Sequence, residues 1–172
     1  MRVFQYYLPL LCIDGTFLIG KYKGQILTAI GVDGNNQLLP VAFAFIENEN
    51  TGSWYWFLER VKLHVVGARP DVYLISDRHS GLLAAIRELQ QGRGTEHPKW
   101  ADVRNRLCMR HMGANFYDHF KNRDLMGLFK RLCAQNQQRK FNALWKLLDD
   151  MTAKQIEERE ARVSSSNTIQ VA

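Results

Sequence analysis

Two carboxylates stand at matching places in this chain of 172 residues. Asp14 follows the apolar run Leu8-Pro9-Leu10-Leu11-Cys12-Ile13 and precedes Gly15-Thr16; Asp77 follows Val72-Tyr73-Leu74-Ile75-Ser76. Each run is far too short to span a membrane and has the character of a strand buried on both faces. An acid at the end of such a strand lies where α/β folds place chemistry. Asp14 and Asp77 are 63 residues apart, so only a sheet can bring them together. Two hard carboxylates without His or Cys suit Mg²⁺ or Mn²⁺, and a pair of such ions serves in-line phosphoryl transfer. Taken singly, either Asp reads as a turn or helix cap; the two together favour the site.

The elements that must position the pair follow from pattern. Gln25 to Asp33 and Leu38 to Ile46 read as strands joined by the turn Asp33-Gly34-Asn35-Asn36, an antiparallel hairpin that the first strand extends to three. Trp54, Phe57, Leu58, Val61 and Val65 then fall at helical spacing, with Thr51 or Ser53 as cap, Glu59 on the polar face and Gly67 and Pro70 as the stop. The second carboxylate strand comes next, followed by a helix from Gly81 to Gln90, capped by Ser80 or Asp77 and ended by Gly92-Arg93-Gly94, and by a short strand from Arg104 to Cys108. From His111 onward the pattern is helical. Phe116, Phe120, Leu125, Leu128, Phe129 and Leu132 form one apolar stripe, and Phe141, Leu144, Trp145 and Leu148 another, with a break expected at Met151-Thr152. Val163 to Ala172 carries no core-forming period and is expected to be disordered. The pattern alone gives an α/β fold with a mixed sheet and a helical segment behind it.

Composition narrows the class. Hydrophobic residues make up 46% of the chain, which excludes general disorder, and no apolar run is long enough for a membrane span. Three cysteines (Cys12, Cys108 and Cys133) do not form a disulfide framework, and a reducing compartment is expected. The net charge of +6 is unevenly spread. Residues 1–92 carry eight basic and eight acidic side chains, whereas residues 93–146 carry twelve basic against four acidic. Such a block suits a polyanion, although an ordinary solvated helical face would look the same.

Four ordered blocks carry a family resemblance. Cys12-Ile13-Asp14-Gly15-Thr16-Phe17, Gly52-Ser53-Trp54-Tyr55-Trp56-Phe57-Leu58, Ile75-Ser76-Asp77-Arg78-His79-Ser80-Gly81-Leu82 and Cys108-Met109-Arg110-His111-Met112-Gly113-Ala114-Asn115 resemble the transposase domain of Mutator-like elements (MULE), a family typical of plants. The resemblance implies a ribonuclease H-like core over residues 1–110, three antiparallel strands followed by parallel ones, and a helical insertion over 111–162. It further implies a DDE-type enzyme that cuts and joins DNA with Mg²⁺ or Mn²⁺, with Asp14 and Asp77 as two of its three acids. The family's third acid lies beyond the insertion in an Asn-x-x-Glu-type motif, which this sequence lacks; Glu157, Glu158 and Glu160 read as a solvated face. The chain is therefore expected to be truncated before the third acid.

Further expectations attach to the same blocks. Cys108 and His111 match the family's Cys-x₂-His signature but supply only half of a tetrahedral zinc site, so zinc is not expected, even with Cys133 and His119 in the chain. His79 is read as a helix-start polar residue that could also contact phosphate. Arg104, Arg106, Arg110, Lys121, Arg123, Lys130 and Arg131, with Arg139 and Lys140, form the expected DNA surface, bonding phosphates without reading sequence. A nuclear location follows from a DNA substrate, and self-association follows if the insertion's apolar faces lack partners. The alternative function is a domesticated, non-catalytic relative of the far-red-response-regulator type, which binds DNA and controls transcription; a degenerate fragment is the blandest reading.

Overall fold

In the computed structural model, residues 3–21, 23–92 and 99–169 are described. The chain divides into two units, Met1–Cys108 and Met109–Ala172. The first holds one five-stranded sheet in the order β3-β2-β1-β4-β5, formed by β1 (Tyr7–Phe17), β2 (Gln25–Asp33), β3 (Leu38–Ile46), β4 (Tyr73–Ser76) and β5 (Arg104–Leu107). β1, β2 and β3 are antiparallel, while β1–β4 and β4–β5 are parallel. The sheet is thus mixed, as the sequence pattern leads one to expect, and the order places β1 beside β4. At the β2–β3 turn, Asp33 Oδ1 accepts from the backbone N–H groups of Asn35 and Gln37, both at 2.8 Å, and Asn36 takes a φ of 60°.

One face of this sheet is closed by α1 (Thr51–Val61), which runs on through a wider π-type turn over Lys62–Val66, and by α2 (Ser80–Gln91). Leu11, Ile13, Leu27, Ala29 and Leu74 from the strands meet Trp54, Phe57, Leu58, Val61, Leu82, Ala85, Ile86 and Leu89 in one core. At about 25 cal/mol per Å² of apolar surface, burial of this kind is the main force holding the carboxylate strands in register. The cap of α1 is Asn50, not Thr51 or Ser53: its side chain accepts from Ser53 N at 3.0 Å, and Asn50 itself takes the extended backbone a cap needs. Glu59 is 6% exposed and does not lie on a polar face, since α1 is covered on more than its sheet side. α2 starts at His79, which makes no side-chain cap bond, so neither Ser80 nor Asp77 caps it. It ends at Gly92, where φ is 81°; Arg93 and Gly94, expected to help end it, lie outside the described residues.

The second unit comprises α3 (Met109–Phe120), α4 (Arg123–Cys133) and α5 (Gln138–Ile169). Asn122 caps α4, accepting from Asp124 N and Leu125 N. Leu125, Leu128, Phe129, Leu132 and Leu148 form its core, flanked by Phe116, Phe120, Phe141 and Leu144. Much of the predicted apolar stripe therefore finds partners inside the unit. Trp145 does not: it is 55% exposed and stacks on Phe141 at a centroid distance of 6.3 Å. No break occurs at Met151-Thr152, because Gln138–Ile169 contains neither Gly nor Pro and the Thr152 hydroxyl bonds back to Asp149 O. The same helix carries the chain through 163–169, where disorder is expected from the sequence; residues 170–172 of that tail lie outside the described residues.

Candidate active site

β1 continues past Asp14 to Phe17 because β2 keeps pairing with it: Asp14 opposes Thr28, and Gly15 opposes Leu27. Gly15 therefore does not turn the chain. A Cβ there would meet Leu27 and Trp54 at 3.4 Å, an ordinary contact. Toward β4, however, the last paired position is Cys12 with Ile75, so Asp14 and Asp77 both stand two residues beyond it. Parallel strands in register point equivalent residues to the same face. Leu11 and Leu74 point into the core, which sets the faces of β1 and β4 and leaves Asp14 and Asp77, both half-buried, on the opposite one.

Each carboxylate is tethered locally. Asp14 Oδ1 accepts from Gly15 N at 3.0 Å, and Asp77 Oδ1 accepts from Arg78 N at 2.6 Å. The Thr28 hydroxyl donates to Asp14 O, tying the acid's backbone to β2. Ser76 Oγ is 3.0 Å from Asn105 Oδ1 and 3.1 Å from Asp77 O, and its single proton serves one of them. No helix is capped by either Asp, which removes the helix-cap explanation for both; the bonds to the next residue's N–H are local turn-type contacts.

Among the described residues no group of three or more His, Cys, Asp or Glu side chains is arranged to hold a metal ion. Two carboxylates still suit a magnesium-like cation, which is commonly bound through one or two carboxylates and completes its shell with water and substrate phosphates. The Cys12 thiol shares this face: burial first, then nearby Cys108 and Asp14, push its pKa above the ordinary thiol range. Cys108 extends the β4–β5 ladder through its N–H, which donates to Ser76 O at 2.7 Å. His111 belongs to the second unit, where Arg110 Nη2 approaches its Nε2 at 3.3 Å. All three cysteines are free.

The expected basic residues fall into two groups. In the first unit, the Arg104 and Arg106 guanidinium groups lie 5.6 and 5.5 Å from the Tyr73 ring centroid, and Arg104 also pairs with Asp71 at 3.1 Å. In the second, Arg110, Lys121, Arg123, Lys130 and Arg131 are exposed, and Lys121 pairs with Asp118 at 2.6 Å.

One residue at the site escapes sequence reasoning. Glu49, in the loop before α1, accepts from Trp54 Nε1 at 3.0 Å, and His79 Nδ1 lies 3.3 Å from the same oxygen, Oε1. Glu49 Cδ is 3.5 Å from where a Cβ would stand on Gly15, the neighbour of Asp14. No periodicity marks a loop Glu; the sequence signal was only its place five residues before Trp54.

A model of the MULE transposase domain matches residues 10–115, more than half of the chain. The chain belongs to the MULE transposase family. The match covers Asp14 and Asp77, all five strands except the first residues of β1, Glu49, His79 and the Cys108–His111 pair, and it stops within α3. Membership of a transposase family makes DNA the partner. No match is found among curated proteins. Among the described residues, no helix of this MULE domain is long and apolar enough to cross a membrane.

Proposed function

We propose that the first unit is the ribonuclease H-like core of a DDE-type transposase, cutting and joining DNA with Mg²⁺ or Mn²⁺ held by Asp14 and Asp77. The observation that carries this reading is the β1–β4 register, which sets the two acids at equivalent positions beyond the last paired residues. A bound divalent cation would activate water or a 3′-hydroxyl and stabilise the leaving oxygen. The chain's own part is to hold the two carboxylates on one sheet face, each with one oxygen fixed by a neighbouring N–H. Arg104 and Arg106 would bond DNA phosphates nearby, and Arg110, Lys121, Arg123, Lys130 and Arg131 would add to non-specific affinity. A nuclear site of action follows from the substrate, and self-association, with Trp145 as an exposed apolar contact, belongs to the same reading.

Calorimetry with Mn²⁺ tests it, on the full chain and on an Asp14→Asn, Asp77→Asn variant. Binding that disappears in the variant supports one shared site; equal binding in both proteins refutes it. A second reading, a non-catalytic DNA-binding relative that regulates transcription, draws on one specific observation: no third metal-competent side chain joins the two acids among the described residues. A folded chain that binds DNA and takes up no Mn²⁺ would favour that reading.

A further inference from the structure

We propose that Glu49 is a positioning residue that holds the His79 imidazole by Nδ1, so that Nε2 is the nitrogen presented to substrate beside the Asp14–Asp77 edge. The inference rests on the reading of that edge as the reactive one. Three elements converge on the pair: the loop before α1 supplies Glu49, the first turn of α1 supplies Trp54, and the start of α2 supplies His79.

Glu49 is itself held from one side. Trp54 is 1% exposed, and its Nε1–H donates to Glu49 Oε1 at 3.0 Å, so a rigid core side chain sets the carboxylate's direction. His79 Nδ1 is shielded from solvent, makes no well-aligned hydrogen bond, and faces that same oxygen at 3.3 Å. Shielded from solvent, Nδ1 has this carboxylate as its charged neighbour. The other edge of the ring is also confined: a Cβ on Gly81 would stand 3.2 Å from His79 Cε1, and 3.1 and 3.2 Å from the backbone at Thr51 and Asn50. A Cβ at Gly81 would force the backbone at the start of α1 to give by a few tenths of an ångström. The ring thus has the Gly81 backbone on its Cε1 side and the Glu49 carboxylate facing Nδ1, while the side chain as a whole stays 38% exposed.

The consequence is chemical. A ring that donates Nδ1–H to a carboxylate keeps its lone pair on Nε2 when neutral, and the partner of one nitrogen decides what the other can do. His79 follows Asp77 by two residues and Glu49 packs on the helix-covered side of Gly15, so the ring stands at the same end of the sheet as both acids, approaching it from the helix side. The ligand class is the oxygen-bearing part of DNA: a phosphate with its water, or a terminal hydroxyl.

Long-range proton–nitrogen correlation on the ¹⁵N-labelled full chain tests this, in mildly alkaline buffer where imidazoles are neutral. The His79 signal is the one of five histidine signals lost in His79→Gln. Wild type is expected to show the Nδ1–H form at His79. Glu49→Met, similar in shape but with no acceptor, should shift the ring toward the Nε2–H form, and Glu49→Gln, whose amide oxygen accepts, should restore it. The backbone amide signals of β2 and β3 report that the variants remain folded. Adding a short DNA duplex should then move His79 Nε2 in wild type and not in Glu49→Met. An Nε2–H form in wild type, or a ring unmoved by Glu49→Met, overturns the pairing, and an Nε2 unmoved while DNA shifts the backbone signals overturns the role toward substrate. A chain that shows the Nδ1–H form but binds no Mn²⁺ fails the metal reading and leaves the pairing standing.

Discussion

Cys12 lies opposite Ile75, and two residues further along each strand stand Asp14 and Asp77. The relationship is a matter of register: a slip of one residue between β1 and β4 would turn one acid to the helix-covered face, where burying an unpaired carboxylate is costly. The apolar partners Leu11 and Leu74, both fully buried, prevent that slip. Single Asp14→Asn and Asp77→Asn substitutions are therefore expected to leave folding intact. Each should lower Mn²⁺ affinity tenfold or more, about 1.4 kcal/mol per tenfold. Calorimetry and a thermal melt on each variant check both halves.

Gly81 should be intolerant for a steric reason unrelated to its φ. A methyl group there would press on backbone at Thr51 and Asn50, which cannot rotate away as a side-chain tip can. Gly81→Ala is expected to cost about 1–3 kcal/mol, as overpacking in a tight contact does, read as a lower urea midpoint with an unchanged slope. Gly34→Ala, where nothing lies within 4 Å, should be nearly silent and serves as the control.

The mixed sheet and the placing of Asp at the same point of two apolar runs were legible because they rest on strong local signals: the runs themselves and a four-residue turn. What the sequence hid was non-local. Nothing in the pattern says that β2 would keep pairing past Asp14, or that Asn50 and not its neighbours would cap α1, because a cap is chosen by the angle at which the chain enters the helix. Glu49 joined the site through Trp54 and His79, contacts made across elements. Trp145 read as core because its spacing matches Phe141 and Leu148, yet it stacks on Phe141 and stays exposed. The break expected at Met151-Thr152 does not form, since a Gly- and Pro-free helix absorbs the weak helix penalty of Thr152.

The cap itself gives a prediction of known size. Asn50 Oδ1 satisfies one of the N–H groups left open at the start of α1, and Asn122 does the same for α4 with two. Asn50→Ala and Asn122→Ala are each expected to lose about 0.5–2 kcal/mol, measured by urea denaturation; Asn50→Asp should retain most of the stability.

Arg106 separates charge from fold. Its guanidinium lies over Tyr73 and bonds Asn105 O, and among the described residues no acidic group pairs with it, whereas Arg104 is tied to Asp71. Arg106→Gln should weaken binding to duplexes of any sequence alike and reduce the slope of log affinity against log salt by about 0.9, the value for one phosphate contact. Arg104→Gln should have the smaller effect on DNA, since its charge is already partly neutralised. Titrations at several salt concentrations distinguish the two.

The two units hold separate cores, one built on the sheet and one on α4 with α5. Leu74→Ala removes a fully buried side chain under α1 and α2 and is expected to cost about 2–5 kcal/mol. Phe129→Ala, which breaks the stacked contact with Phe116 at 5.0 Å, is expected to cost about 3–5 kcal/mol. Because the two cores have no residue in common among the described residues, each loss should stay in its own unit. Native-state hydrogen exchange reads this directly: Phe129→Ala should speed exchange in α3, α4 and α5 and leave β1 and β4 protected, with Leu74→Ala doing the reverse. Acceleration of β1 by Phe129→Ala would mean that the helical unit supports the carboxylate strands, and Asp14 and Asp77 would then depend on it for their register.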